Sequence, residues 1–247
     1  MTKEVCKMEP IHLLEVPEPA GSRIAVLVTV HPDDESFFHP FLLQQLWLKG
    51  WVIHVLYATK GEKGDVSVLG CDIVAANIRP LEAYAALHLV GVKKQNITFM
   101  GFVDGELAKQ HRQRLVDLVW DYIEAVKAEM LITFDEGGVY GHDDHSVVGR
   151  AMQLMVRHKS FSTLRWAFFG AADPTVQDRW RSKISQIFVW PRQPTLGELG
   201  LRIEATDELL AVRMQMLKMH ASQQADWHLF PMGPGDREAY LVFWLPD

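Results

Sequence analysis

The sequence has little of three features that would place it in other classes of protein. Its two cysteines, Cys6 and Cys71, have no paired spacing, which argues against a disulfide scaffold or a cysteine-bound zinc cluster. The net charge is −6 and no long Lys/Arg run occurs, so the electrostatic footprint of a nucleic-acid or membrane binder is missing. Apolar runs such as 24–28 are far shorter than the roughly 20 residues of a membrane span, and residues 1–19 hold no apolar signal segment. These absences predict a cytoplasmic protein that acts on a small molecule.

The chain of 247 residues suits one α/β domain, with a core at about 24–223 and a C-terminal extension at 224–247. Apolar runs alternate with segments of helical periodicity, which predicts a Rossmann-like three-layer sandwich with a mostly parallel sheet. The predicted strands are Ile24–Thr29, Val52–Ala58, Asn96–Met100, Met130–Phe134, Leu164–Phe169 and Lys183–Trp190. The predicted helices are Phe37–Lys49, Ile73–Leu89, Glu106–Lys127, Ser146–Arg157 and Asp207–Ser222. A last strand-like run at Tyr240–Trp244 suits an edge strand or a contact between subunits.

Two polar clusters follow predicted strands. His31–Glu35 comes directly after the first strand, and Gly141–His145 follows the strand that ends at Phe134. Either cluster alone would also suit turn and helix-cap chemistry, because Asp is a favoured cap and Pro a favoured early-helix residue. Two such clusters at strand ends of one sheet instead favour a binding site, since parallel α/β sheets place ligands there.

Histidine and carboxylate at these spacings indicate a mononuclear metal site. Two histidines and one carboxylate hold Zn²⁺ while leaving a position open for water, as in catalytic zinc sites. Three of the four side chains of His31, Asp34, His142 and His145 would converge on one ion. The other carboxylate, Asp33, would lie beside the metal as a general base.

These motifs give the chain a family resemblance. It resembles the LmbE-like, or PIG-L-type, zinc-dependent N-acetylglucosaminyl deacetylases over about Ile24 to Gln223. The motifs that carry the resemblance are His31–Glu35, Thr59–Gly64, Arg79-x-x-Glu82, Asp104-Gly105, Tyr140–His145 and His220-x-Ser222-Gln223.

The resemblance implies a role for each residue of these motifs. His31, Asp34 and His145 would bind the metal, Zn²⁺ or another divalent ion such as Fe²⁺, and Asp33 would be the base. His142 would be a protonated imidazole that stabilises the oxyanion or protonates the leaving amine, and Tyr140 would face the substrate carbonyl. The residues assigned to substrate binding are Arg79, Asp104 and His220. The implied reaction is hydrolysis of the N-acetyl group of a GlcNAc-type conjugate whose aglycone stays open, and the resemblance allows a homo-oligomer.

One departure from the family pattern concerns His142. Asp143 stands where proline is usual, and an adjacent carboxylate should favour the imidazolium form of His142.

Two other functions compete with hydrolysis. The same donor set suits a non-haem Fe(II) enzyme, although an unliganded Asp33 beside the metal fits hydrolysis better. A nucleotide-binding or non-catalytic α/β protein is the other alternative, but no G-x-G-x-x-G or Walker A string follows a predicted strand.

Overall fold

A computed structural model describes residues 9–70, 73–110, 112–174, 194–229 and 237–245. Its strands are β1 (Glu9–Pro10), β2 (Ile24–Thr29), β3 (Val52–Tyr57), β4 (Ile97–Phe99), β5 (Met130–Phe134), β6 (Trp166–Ala171), β7 (Leu201–Glu204) and β8 (Arg237–Trp244). Its α-helices are α1 (Asp34–Phe38), α2 (Pro40–Leu48), α3 (Ala75–His88), α4 (Arg112–Val126), α5 (Gly138–Gly141), α6 (Asp143–His158) and α7 (Asp207–Met219). Short 3₁₀ helices lie at Ser67–Leu69, Lys94–Asn96, Leu107–Lys109, Leu196–Glu198 and Ala221–Leu229.

The described strands form one mixed sheet in the order β1-β8-β6-β5-β2-β3-β4, with β7 also paired to β8. The five strands from β6 to β4 in that order are mutually parallel. Strand β8 is antiparallel to β6 on one side and to β1 and β7 on the other. The carboxyl ends of β2 and β5, neighbours in this sheet, therefore meet at one edge.

Alternate residues of β2 face the two sides of the sheet, as the period of two in a strand requires. Val26 and Val28 pack into an apolar cluster with α4 and α6, whereas Ala25 and Leu27 pack with α2, α3 and α7. All four side chains are fully buried. Helices thus cover both faces, and the predicted three-layer α/β architecture with a mostly parallel sheet is confirmed.

The first predicted helix is interrupted. Instead of one helix over Phe37–Lys49, α1 ends at Phe38 and α2 begins at Pro40. His39 between them has φ −131° and ψ 11°, because the proline ring that follows disfavours helical backbone at the preceding residue. The short helix α1 therefore holds Asp34 and Glu35, which follow β2, separately from α2.

The elements predicted in the last third of the chain differ from those of the structure. The predicted strand Lys183–Trp190 lies outside the described residues, and β7 was not predicted. The edge position suggested for Tyr240–Trp244 is wrong, because β8 lies between β6 and the pair β1 and β7. Part of the predicted extension at 224–247 therefore belongs to the sheet itself. Among the described helices, none has both the length and the apolar character needed to cross a membrane.

Candidate metal centre

Three side chains from the two strand ends bring their donor atoms together. Nε2 of His145 lies 3.2 Å from Oδ1 of Asp34 and 3.4 Å from Nδ1 of His31. All three residues are buried. Donors around a tetrahedral zinc ion at about 2.0–2.1 Å lie roughly 3.3 Å from one another, so these spacings fit one ion. The structure thus brings together the three predicted ligands and fits the group they were predicted to hold.

Asp34 offers only one of its oxygens to this centre. Its Oδ2 accepts hydrogen bonds from the Thr29 hydroxyl at 2.9 Å and from the backbone N–H groups of Val30 and His31 at 3.1 and 2.8 Å. Burial would raise the pKa of Asp34, but His145, the charge of His31 and the backbone N–H of His31 outweigh it and lower that pKa. The carboxylate is therefore ionised, with Oδ1 turned towards the histidines.

The second nitrogen of His31 points to a pair of carboxylates. Nε2 lies 3.0 Å from Oδ1 of Asp104 and 3.8 Å from Oδ2 of Asp144. Burial alone would lower the pKa of His31, but these two carboxylates and Asp34 outweigh it and raise the pKa to about 10. A metal-binding histidine commonly donates its other N–H to a carboxylate, which fixes the ring and its tautomer. Asp104 occupies that place, and Asp144, given no role from the sequence, helps to form it.

Asp33 is held beside the centre in an unusual conformation. Its backbone has φ 135° and ψ −25°, a region that residues other than glycine rarely adopt. Its Oδ2 accepts a hydrogen bond from Nη2 of Arg79 at 2.9 Å. Burial raises the pKa of Asp33 to about 7, although the Arg79 guanidinium opposes the rise. A carboxylate with such a pKa can accept a proton near neutral pH.

Tyr140 and His142 flank the ligands. The ring centroid of Tyr140 lies 5.5 Å from that of His145, and the ring of His142 lies 4.6 Å from that of His145 and 5.1 Å from that of His31. The backbone just before Tyr140 is strained, with φ 66° at Val139.

The predicted imidazolium form of His142 is not favoured in this structure. Burial, followed by repulsion from His145 and His31, lowers the pKa of His142 to about 3. Asp143 is exposed and is not among the groups that dominate this pKa. A neutral His142 still offers an N–H donor, so its place near the centre suits hydrogen bonding to an oxyanion better than proton supply.

A sequence model described as "PIG-L: GlcNAc-PI de-N-acetylase" matches residues 26–156, more than half of the chain. The chain belongs to this PIG-L family. The matched range contains both polar clusters, so all three candidate ligands and Asp33 lie within the family domain. The resemblance found from the motifs is confirmed.

Relatives of this PIG-L member include named deacetylases. A Corynebacterium glutamicum 1D-myo-inositol 2-acetamido-2-deoxy-alpha-D-glucopyranoside deacetylase is 26% identical over 225 residues, covering 83% of this chain and 76% of the relative. The Bos taurus N-acetylglucosaminyl-phosphatidylinositol de-N-acetylase is 29% identical over 141 residues, 56% of this chain and 52% of that protein. The solved N,N'-diacetylchitobiose deacetylase of Pyrococcus horikoshii has the same fold, with a TM-score of 0.63, 16% identity and coverage of 89% of this chain and 83% of the other.

Two residues assigned to substrate binding contact the candidate base and a candidate metal ligand. Arg79 is buried and also donates to the carbonyls of Pro32 at 2.8 Å and Gly61 at 3.0 Å. Asp104 bonds to His31 as described above and accepts from the backbone N–H of Lys63 at 2.9 Å. Their contacts with substrate stay predictions.

His220, the third residue assigned to substrate binding, is bonded to Glu35. It is fully buried, and its Nε2 lies 2.6 Å from Oε1 of Glu35, which does not fit a direct substrate contact. Burial lowers the pKa of His220, but the Glu35 carboxylate outweighs it and raises that pKa. No local spacing indicates this pair, because its members are 185 positions apart.

Proposed function

We propose that the protein is a zinc-dependent hydrolase that removes the N-acetyl group from a GlcNAc-type sugar conjugate. The observation that carries the proposal is the three-donor centre of His31, Asp34 and His145 with Asp33 next to it in sequence and free of the ligand set. The named deacetylases among its relatives support the substrate class.

Each residue has a task in this proposal. When bound, Zn²⁺ would act as a Lewis acid towards the acetyl carbonyl and the attacking water. Asp33 accepts the proton of that water, for which its pKa of about 7 is suited. His142 and Tyr140 donate hydrogen bonds to the acetyl oxygen as negative charge develops on it. The proton held by Asp33 is then available to the departing amine, and acetate and a free amine are the products.

The aglycone of the substrate is open within this proposal. The aglycone would be malate, inositol, a further sugar of a chitooligosaccharide or an antibiotic aglycone. In each case the same N-acetylglucosamine unit would lie at the metal. A homo-oligomer and a cytoplasmic location stay predictions.

The first experiment measures amine release by the zinc-loaded protein across a panel of N-acetylglucosaminides, beside a chelator-treated sample. We expect release that disappears with the chelator and returns with zinc. No release from any member of the panel, with zinc bound, would contradict the proposal. Oxygen-dependent turnover of the Fe²⁺-loaded protein would instead favour the iron enzyme, because two histidines and a carboxylate also suit Fe(II). Failure to bind any metal would favour a non-catalytic binding protein.

Two substitutions separate the base from the ligands. Asp33→Asn should retain zinc and lose turnover by about 10²- to 10⁴-fold, the usual contribution of a positioned general base. His145→Ala should lose zinc as well as turnover, since it removes one of three donors. Full activity of Asp33→Asn would refute the assignment of the base.

A further inference from the structure

Glu35 is saturated by four hydrogen-bond donors although it touches neither the candidate ligands' donor atoms nor solvent. Its Oε1 accepts from the hydroxyl of Ser36 and from Nε2 of His220, each at 2.6 Å. Its Oε2 accepts from the Tyr57 hydroxyl at 2.6 Å and from the backbone N–H of Asp33 at 3.1 Å. Two carboxylate oxygens offer about four lone-pair sites, so all of them are used.

The contact with Asp33 is the one that matters for chemistry. The Asp33 N–H belongs to the residue whose φ of 135° is the largest of the four positive values found at non-glycine residues in the described segments. Such a conformation persists only where the surroundings determine it. Glu35 holds the backbone of Asp33, and Arg79 holds its carboxylate through Oδ2.

His220 holds the carboxylate of Glu35 in place. Its ring is fully buried, and in the part of the chain that the structure describes its Nδ1 has no hydrogen-bond partner, so the Glu35 contact fixes the ring. His220 is the C-cap of α7, which packs against α1, the helix that contains Glu35. A segment far along the chain is thereby tied to the backbone of the proposed base.

We propose that His220 is a positioning residue for Asp33, acting through Glu35 on the strained backbone that aims the base. The inference rests on the proposed function, because it assumes that Asp33 takes a proton. His220 fixes the Glu35 carboxylate so that Oε2 stays within reach of the Asp33 N–H. Without it, Asp33 relaxes from its left-handed conformation and its carboxylate leaves the productive position.

Two conservative replacements of His220 test this chain of contacts. A glutamine places its side-chain N–H₂ close to the position of Nε2 and can still donate to Glu35, whereas an asparagine reaches only to the position of Nδ1. We expect His220→Asn to lower kcat by about 10- to 100-fold, the usual cost of a misplacement near 1 Å, with KM and zinc affinity changed by less than about threefold. His220→Gln should recover most of the lost kcat.

Glu35→Gln breaks one of the two contacts, that with His220 or that with Asp33, in either orientation of its amide. If the N–H₂ group faces His220, that bond is lost, and if it faces Asp33, the backbone bond is lost. We therefore expect a fall in kcat similar to that of His220→Asn.

Glu129→Gln is the matched control at the opposite end of the sheet. Glu129 is also a buried carboxylate that accepts backbone N–H groups, those of Ala20, Gly21 and Arg23, and Arg23 also has a positive φ, of 63°. Its substitution should lower the thermal unfolding temperature and leave kcat unchanged. Equal kcat in His220→Asn and His220→Gln, or an equal loss in Glu129→Gln, would overturn the positioning role.

Hydrogen exchange of the Asp33 amide gives a readout that needs no turnover. This amide should exchange faster in His220→Asn and Glu35→Gln than in the unmodified protein, and His220→Gln should restore its protection. If the unmodified protein releases no amine but these exchange rates differ as expected, the positioning role stands and the proposed function fails. If amine is released and the exchange rates are the same in all variants, the positioning role fails and the proposed function stands.

Discussion

Replacing Arg79 by methionine should move the pH dependence of turnover rather than weaken substrate binding. Nη2 of Arg79 lies 2.9 Å from Oδ2 of Asp33, and the two side chains are only 5% and 11% exposed. The guanidinium lowers the pKa of Asp33 against the effect of burial, and the balance of these effects is a pKa of about 7. Removing the cation therefore raises that pKa further.

The size of the effect follows from the contact. Loss of an opposite charge at this range raises a carboxylate pKa by about 1 to 3 units. Asp33 is about half ionised at pH 7, and such a shift leaves roughly 10% to 0.1% of it ionised. Because the base must be ionised to accept a proton, kcat/KM at pH 7 should fall by roughly 5- to 500-fold. The loss should disappear as the pH rises through the new pKa.

The assay is kcat/KM from about pH 5 to pH 10 for the unmodified protein, Arg79→Met and Arg79→Lys. The lysine variant keeps the charge without the planar fork of the guanidinium. The acid limb of its pH profile, where kcat/KM rises with pH, should therefore shift less than that of the methionine variant. Arg202→Met is the control, since Arg202 makes a similar bond, 2.8 Å long, to the buried Asp173, and its loss should not move the limb. An unmoved acid limb in Arg79→Met with only KM raised would refute this reasoning and support the substrate contact predicted from the sequence.

Two further predictions concern groups around the centre. Asp104→Ala should weaken zinc binding by about 10- to 100-fold in a chelator competition, because Oδ1 of Asp104 is the partner of Nε2 of His31. Asp104→Asn keeps an acceptor oxygen and should weaken zinc binding less. Unchanged zinc affinity in both variants would contradict this role. Gly61→Ala should lower both stability and kcat, because a Cβ there would overlap Nη1 of Arg79. Gly50→Ala, which has a similar positive φ but no atom within 4 Å of the added Cβ, should lower stability alone. Equal kcat in the two variants would show that displacement of the arginine does not matter.

The central sheet and the two polar clusters could be predicted from short strings of the sequence, whereas the choice of His31, Asp34 and His145 among the four possible ligands came from the family resemblance. Strand β2 is an apolar run bounded by polar residues, and the string His31–Glu35 follows it within two positions. Neighbouring parallel strands have to present their carboxyl ends at one edge, so the meeting of His31 with His145 followed from the topology.

The support of the site could not be predicted in the same way. The bond between Arg79 and Asp33 joins residues 46 positions apart, and that between His220 and Glu35 joins residues 185 apart. Their partners depend on how α3 and α7 pack, which no local spacing encodes. The interior position of β8 is a similar case, since whether a strand has one neighbour or two depends on strands elsewhere in the chain.

Asp33, whose backbone is unusual, and Asp34 are adjacent carboxylates with different partners. Asp34 turns back on β2, where three donors saturate its Oδ2, while Asp33 has to reach the guanidinium of Arg79. Asp33 makes its contact with a φ of 135°, a value that residues other than glycine rarely adopt. The backbone bond to Glu35 and the side-chain bond to Arg79 together compensate for this strain, so the residue that we propose to move the proton is held from both sides.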